Sequence, residues 1–325
     1  YTHTYGRGVA RCLTRTRQFA FRGETTVETT DPHRFIKSTE KLVTPKAVGK
    51  LYGRAEMLGK LPTSVQKWVV NRAGGDDPYI GFVVEPYSLF LAYEIADEAA
   101  ANSLLPPDYE LVPTAIFEGT DPRPAGIIAA FNIHTSVFWG SRVEFYLIAE
   151  NKQTGLLSWV ICDYESNTIS YDPGQGFTGS STSHSVVTTS YTGDLVVDVA
   201  SEQTGNAIAA VADLDGLRMR PLDQRLWLEG NLSVDYGGRL LDPDSVPFGL
   251  VFDPGEVERA QDIPLSALDV QANTLGDGLL AAEPFEACTF PFAQHFLTTS
   301  FPAANPITTR AELERTVADL NSSAT

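Results

Sequence analysis

Residues 126–177 alternate polar and apolar side chains with a period of two over two consecutive segments, a pattern that suits pleated strands and not a helix. In the first segment Asn132, His134 and Ser136 share one parity, while Phe131, Ile133 and Val137 share the other. In the second, Arg142, Glu144 and Tyr146 alternate with Val143, Phe145 and Leu147. Each parity falls on one face of its strand, so the register of the hairpin decides which polar groups meet. If Trp139-Gly140-Ser141 closes the hairpin, Phe138 faces Arg142, Ser136 faces Glu144 and His134 faces Tyr146, and the polar sets share a side. A two-residue closure shifts that register and scatters them.

The β texture runs on from Leu111 to about Val270, with short apolar runs separated by Gly, Asp, Asn and Pro. Strands are expected at residues 156–164, 185–189, 195–199, 226–234 and 247–252, and the small polar run 180–185 suits a mobile loop near an opening. Such spacing predicts a mainly β (α+β) fold built as an antiparallel barrel or sandwich. Upstream, residues 80–96 predict two apolar strand pieces broken at Glu85-Pro86. Asp97 caps a short helix that Pro106-Pro107 ends. Short extended pieces at 18–21 and 25–29, a helix start at Thr44-Pro45 and a helix over 63–71 precede Gly74-Gly75. At the far end Thr309-Arg-Ala-Glu312 is a capping-box pattern before Leu313, Val317 and Leu320, which predicts a final short helix.

Charge divides the chain. Residues 1–72 hold 14 Lys and Arg against 5 Asp and Glu, whereas the remaining 253 hold 10 against 36, so a basic head precedes an acidic body. The expected division is a basic, partly helical N-terminal extension over 1–75 and a β domain with the C-terminal helix over 76–325. A basic head can dock on an acidic surface of its own subunit or of another, which suggests a homo-oligomer. Its basic residues are interspersed with Thr, Gly and apolar residues, and the acidic body repels phosphate, so neither nucleic acid nor an anionic membrane is an expected partner. No run has the eighteen or so apolar residues of a membrane helix, and Tyr1-Thr-His-Thr4 lacks the apolar region of a secretory signal. A cytoplasmic protein is the expectation.

Cys12, Cys162 and Cys288 are far apart and odd in number, which suits buried apolar residues better than disulfides or zinc ligands. The five histidines, His3, His33, His134, His184 and His295, are equally dispersed, and no metal or other cofactor is expected. The glycine-rich phosphate loop, the zinc-protease helix motif and the Gly-x-Ser-x-Gly elbow do not occur, and no Gly-x-Gly-x-x-Gly stands at an expected strand-helix junction.

The candidate chemistry therefore concentrates in the 126–177 stretch. His134 beside Glu144 or Tyr146 could move a proton near neutral pH, or be a hydrogen-bonded wall histidine. Arg142 could hold a carboxylate in its two-pronged donor geometry, or form a solvated cross-strand patch with Glu144. Tyr171 and Asp172 precede Pro173-Gly174 and suit a turn or a ligand contact. Asp163 and Glu165 share a parity that could raise one carboxyl pKa if both face a cavity. His295, among Phe290, Phe292 and Phe296, suits a core position.

Several segments resemble the acetoacetate decarboxylase-like superfamily over about residues 80–270. They are Leu104-Leu-Pro-Pro-Asp-Tyr109 after a short helix, the meander through 126–165, the turn at Gly176-Phe177 and the strand set ending at residues 248–253. The resemblance implies a conical antiparallel β-barrel with a cavity for a small oxo-acid. That family's Schiff-base lysine follows Gly-Phe-Pro, whereas this chain reads Asp172-Pro-Gly-Gln-Gly-Phe-Thr-Gly179, with Thr178 in place of proline and Gly179 in place of lysine. Lys152 is the last lysine of the chain and lies in the hydrophilic connection Glu150-Asn-Lys-Gln-Thr-Gly155.

Two functions follow. One is a cofactor-independent lyase, dehydratase or isomerase acting on a small carbonyl-bearing carboxylate. There His134 and Glu144 are catalytic, and Arg142, Asn132, Tyr146 and Tyr171 bind substrate. The other is a barrel that binds the small molecule without turnover. A structural subunit whose basic head fits an acidic neighbour is a third.

Overall fold

The computed structural model describes residues 54–55, 57–74, 79–135, 138–242, 246–299 and 307–323, together with Thr39. The pieces expected at 18–21, 25–29 and Thr44-Pro45, and most of the basic head, lie outside the described residues.

Helix α1 (Thr63–Gly74) precedes strands β1 (Tyr79–Val84) and β2 (Ser88–Ile95). The break between those strands falls at Glu85-Pro86-Tyr87, where Tyr87 takes φ +68°. Asp97 caps α2 (Glu98–Asn102) by accepting the Ala100 N–H at 2.9 Å. Then come β3 (Tyr109–Leu111), β4 (Pro113–Thr114), β5 (Arg123–Thr135), β6 (Phe138–Asn151), β7 (Leu157–Ser166), β8 (Ser170–Asp172) and β9 (Gly176–Thr178). A second run holds β10 (His184–Thr189), β11 (Asp194–Ala200), β12 (Ala207–Asp213), β13 (Arg218–Pro221), β14 (Val234–Tyr236) and β15 (Leu250–Phe252). The last strands are β16 (Arg259–Asp262), β17 (Leu268–Asn273), β18 (Leu280–Phe290) and β19 (Gln294–Thr299), and α3 (Arg310–Ser323) ends the described chain. Thr309 Oγ accepts the Glu312 N–H at 3.3 Å, while the Glu312 carboxylate reaches back to the Thr308 N–H at 2.9 Å.

The fold is mainly antiparallel β and centres on β5. One edge of β5 carries β6; the other carries β2 along residues 125–130 and β1 at residues 133–134. From β2 the sheet continues through β18 and β16 to β13, and from β1 through β19 to β15. Beyond β6 it continues to β7 and then β14, and the β14–β7 pairing is parallel, a departure from the expected wholly antiparallel order. Val234 in β14 also bridges Phe248, just before β15, through reciprocal backbone bonds of 2.6 and 2.8 Å.

Strand periodicity sorts the core into two layers. Ile127, Ala129 and Phe131 of β5, with Ile148 of β6 and Trp159 of β7, join one apolar cluster. Ile128 and Ala130, with Val143, Phe145 and Leu147, join another, which packs Leu195, Val197, Ile208 and Ala210 of the separate four-stranded sheet β10-β11-β12-β17. That second sheet backs the first as in a sandwich.

Two local expectations are overturned. Thr135 pairs with Phe138, so the hairpin closes between these two residues and Trp139, Gly140 and Ser141 belong to β6. The run 226–234, expected as a strand, instead makes a π-helical turn over Arg225–Glu229 and a 3₁₀ turn over Gly230–Leu232. Asp223 nucleates the first by accepting the Leu226 N–H on its side chain at 3.0 Å and the Trp227 N–H on its carbonyl at 3.0 Å.

Candidate functional site

The register Phe131↔Arg142, Ala129↔Glu144 and Ile127↔Tyr146 puts the odd residues of β5 and the even residues of β6 on one face. That face borders a cavity of about 360 Å³. β7 would by strict alternation turn Tyr164 away from it. A β-bulge intervenes: Phe145 pairs with Asp163 but Tyr146 with Ile161, so Cys162 is the extra residue. Trp159, Ile161 and Tyr164 consequently share the inner cluster, while Asp163 and Glu165 face outward. Both outward carboxylates accept from Asn206 Nδ2, at 3.1 and 2.8 Å, and Asp163 also accepts Arg239 Nε at 2.6 Å. They do not form a carboxylate pair in the cavity.

The polar end of the cavity is built on β6. Glu144 Oε1 pairs with Arg142 Nε, and Glu144 Oε2 accepts the Tyr146 hydroxyl. Arg142 Nη1 donates to Ser170 Oγ at 3.0 Å, and its Cζ lies 3.9 Å from the centre of the Tyr164 ring. The Arg142 and Glu144 side chains are 17% and 8% exposed, so bulk water screens their attraction weakly. Burial opposes the guanidinium charge, but Glu144 and the neighbouring phenols raise its pKa nonetheless. Behind Tyr164, fully buried Asp172 accepts the Tyr164 hydroxyl at 3.0 Å and the Gln175 N–H at 2.7 Å. Burial raises the Asp172 pKa above its ordinary value despite those bonds and the charges of Arg142 and Arg239. Burial likewise raises the Tyr236 hydroxyl.

The rest of the lining is aromatic. Phe90, Trp159 and Trp227 meet edge to face, with centroids 6.4, 5.0 and 5.4 Å apart, arrangements worth about 0.5–1.5 kcal/mol each beyond burial. Both indole N–H groups are satisfied by backbone, Trp159 by Leu226 O at 3.1 Å and Trp227 by Ile116 O at 3.0 Å. Phe131, Phe248 and Phe296 complete apolar walls from β5, the lead-in to β15, and β19. Helix α1 packs near the β8–β9 hairpin: Gln66 Oε1 accepts the Phe177 N–H at 2.7 Å, and Lys67 pairs with Asp242.

Of the residues singled out from sequence, Arg142, Glu144, Tyr146 and Tyr171 line the cavity together. Tyr171 also contacts the Phe177 ring at 4.9 Å, and burial pushes its hydroxyl pKa up to about 12. Asn132 and His134 have the opposite parity. Asn132 Nδ2 donates to Val187 O of β10 at 2.8 Å, and His134 pairs with Trp139 and Val83. This corrects the register that would bring His134 opposite Tyr146: closure between Thr135 and Phe138, upstream of the expected Trp139-Gly140-Ser141 turn, separates the two polar sets. His295 is a core residue, with Nδ1 2.8 Å from Glu256 Oε1. Sequence reasoning missed Trp159, Trp227, Tyr164, Tyr236 and Ser170. Alternation marks Trp159 and Ile161 as one face, but neither the bulge nor the π-helical turn has a sequence signal that would have assigned Tyr164 and Trp227.

An open depression of about 590 Å³ lies elsewhere, beside Tyr87, Asp194, Asp213 and Asp215, and lacks the enclosure of the aromatic cavity. Among the described residues no cluster of three or more His, Cys, Asp or Glu could hold a metal, and no helix is long and apolar enough to cross a membrane. No family model matches the chain, and no curated protein does. A crystal structure of acetoacetate decarboxylase from Legionella pneumophila is similar over 68% of this chain and 86% of that one, at 13% identity and a TM-score of 0.39. A likeness at that level transfers no residue role.

Proposed function

We propose that β5, β1, β19, β15, β14, β7 and β6 close into a barrel whose interior binds a carbonyl-bearing small molecule, and that the chain catalyses a lyase- or isomerase-type proton transfer on it without a Schiff base. Support for closure is the reciprocal Val234–Phe248 bridge, together with lining residues drawn from every one of these strands or its immediate lead-in. The observation that carries the chemistry is the Arg142–Glu144–Tyr146 chain at the polar end of an otherwise aromatic cavity.

An Arg142 N–H would donate to the substrate carbonyl oxygen and stabilise the enolate that forms as a carbon-bound α-proton leaves. The Glu144 carboxylate would take that proton, leaving the C–H electron pair in the enolate. Return of a proton, from Glu144 or through Tyr146, would complete an isomerisation or assist departure of a β-substituent. Among the described residues no amine lines the cavity for imine chemistry: Lys67 pairs with Asp242, and Lys152 pairs with Glu110 at 3.4 Å with about half of its side chain exposed.

A second reading, binding without turnover, is favoured by one specific feature. Both Glu144 oxygens already accept bonds from this chain. The readings separate by proton NMR of 2-butanone, 4-phenyl-2-butanone and levulinate in D₂O. Enzyme-accelerated α-deuteration that falls about a hundredfold in Glu144→Gln, with affinity retained, supports catalysis; saturable binding without any exchange supports the binding protein.

A further inference from the structure

We infer that the cavity takes an uncharged carbonyl compound with a body about the size of two fused rings, and not a small oxo-acid anion. This rests on the proposed role of the cavity and narrows its ligand. Among the described residues of the lining, Arg142 and Glu144 carry charge, and they pair with one another. The described lining therefore offers an anion no net charge. A ligand carboxylate beside Arg142 would place a second negative charge next to Glu144 in surroundings that screen poorly, whereas a ketone or aldehyde oxygen accepts an Arg142 N–H without adding one. The guanidinium has five N–H groups, of which Glu144 and Ser170 engage one each in the bonds seen here, so donors remain for such an oxygen.

Size and lining agree with the charge argument. About 360 Å³ is the lower range of pockets that enclose drug-sized ligands, and it equals roughly twelve times the liquid volume of a water molecule. A four-carbon oxo-acid has about seven heavy atoms and would leave much of that space against Phe90, Phe131, Trp159, Trp227 and Phe296. Trp159 and Trp227 have spent their N–H groups on backbone carbonyls, so those rings offer a ligand apolar surface only.

The test is calorimetric titration at pH 7.5 with 2-acetonaphthone, 2-naphthoate and acetoacetate. The wild type is expected to bind the ketone at least tenfold more tightly than the naphthoate and to give no saturable heat with millimolar acetoacetate. Glu144→Gln removes the internal counter-charge and should shift the preference at least tenfold toward the naphthoate. Where that variant fails to fold, the wild-type comparison decides alone. Naphthoate or acetoacetate binding as tightly as the ketone would overturn the inference while leaving the cavity as a ligand site; an unshifted preference in a folded Glu144→Gln would overturn the charge argument. Absence of binding by all three probes would overturn both the inference and the reading on which it rests.

Discussion

Arg142 lies with its guanidinium carbon 3.9 Å above the centre of the Tyr164 ring while its Nε pairs with Glu144, so one side chain joins the polar end of the cavity to the buried Tyr164–Asp172 pair behind it. Removing the guanidinium would leave Glu144 buried without its counter-charge. Arg142→Ala should therefore cost about 3–5 kcal/mol of stability, measured by chemical denaturation. Arg142→Lys should recover only part of this, because an ammonium cannot present the planar fork or stack as the guanidinium does. A loss below about 1 kcal/mol in Arg142→Ala would mean that the pair is hydrated and weak.

Asp172 supplies a pH signature. Its folded pKa is raised, mainly by burial, so the folded state holds that proton more tightly than the unfolded chain does. Its stabilising contribution is complete below the ordinary carboxyl value of 3.8 and is lost as pH rises through the raised folded value. The stability of the wild type minus that of Asp172→Asn should accordingly fall with rising pH across that window, while groups common to both cancel. A difference that rises over the same range would reverse the assigned sign.

His134 is expected to be dispensable for the cavity. It pairs with Trp139 on β6 and shares the parity of Asn132, which bonds to the second sheet. His134→Gln should leave ketone affinity and any proton exchange within about twofold of wild type, in contrast to the hundredfold expected for a positioned acid or base. A loss of that larger size would return His134 to the site.

The alternation of β5 and β6 was legible because each strand buries both faces against different layers, and its polar residues interrupt those faces at fixed parity. The hairpin register was not. Gly140 resembles a turn glycine, yet an added Cβ would sit 2.6 Å from Asn167 Oδ1 and 2.7 Å from the Thr168 side chain, so the residue serves a close approach inside a strand. Tyr164 reached the site through the bulge at Cys162, and a one-residue irregularity leaves no periodic trace. Trp227 reached it through a turn that Asp223 stabilises, where a strand-like run of Leu, Trp and Leu argued otherwise. Caps were easier: Asp97 and Thr309 act locally, and their contacts need no knowledge of the sheet.

A carbonyl compound is expected to bind inside the aromatic cavity, with its head at Arg142. Ile133 lines that cavity from β5, beside Phe131, which is paired with Arg142. Ile133→Trp should fill space that a ligand would occupy without removing any polar group of the site. Titration of 2-acetonaphthone into the wild type and into folded Ile133→Trp, compared by calorimetry, is the most direct measurement. Saturable binding to the wild type should weaken at least thirtyfold in Ile133→Trp; equal affinity in the two proteins would place the ligand outside the cavity and rule out Arg142 as its anchor.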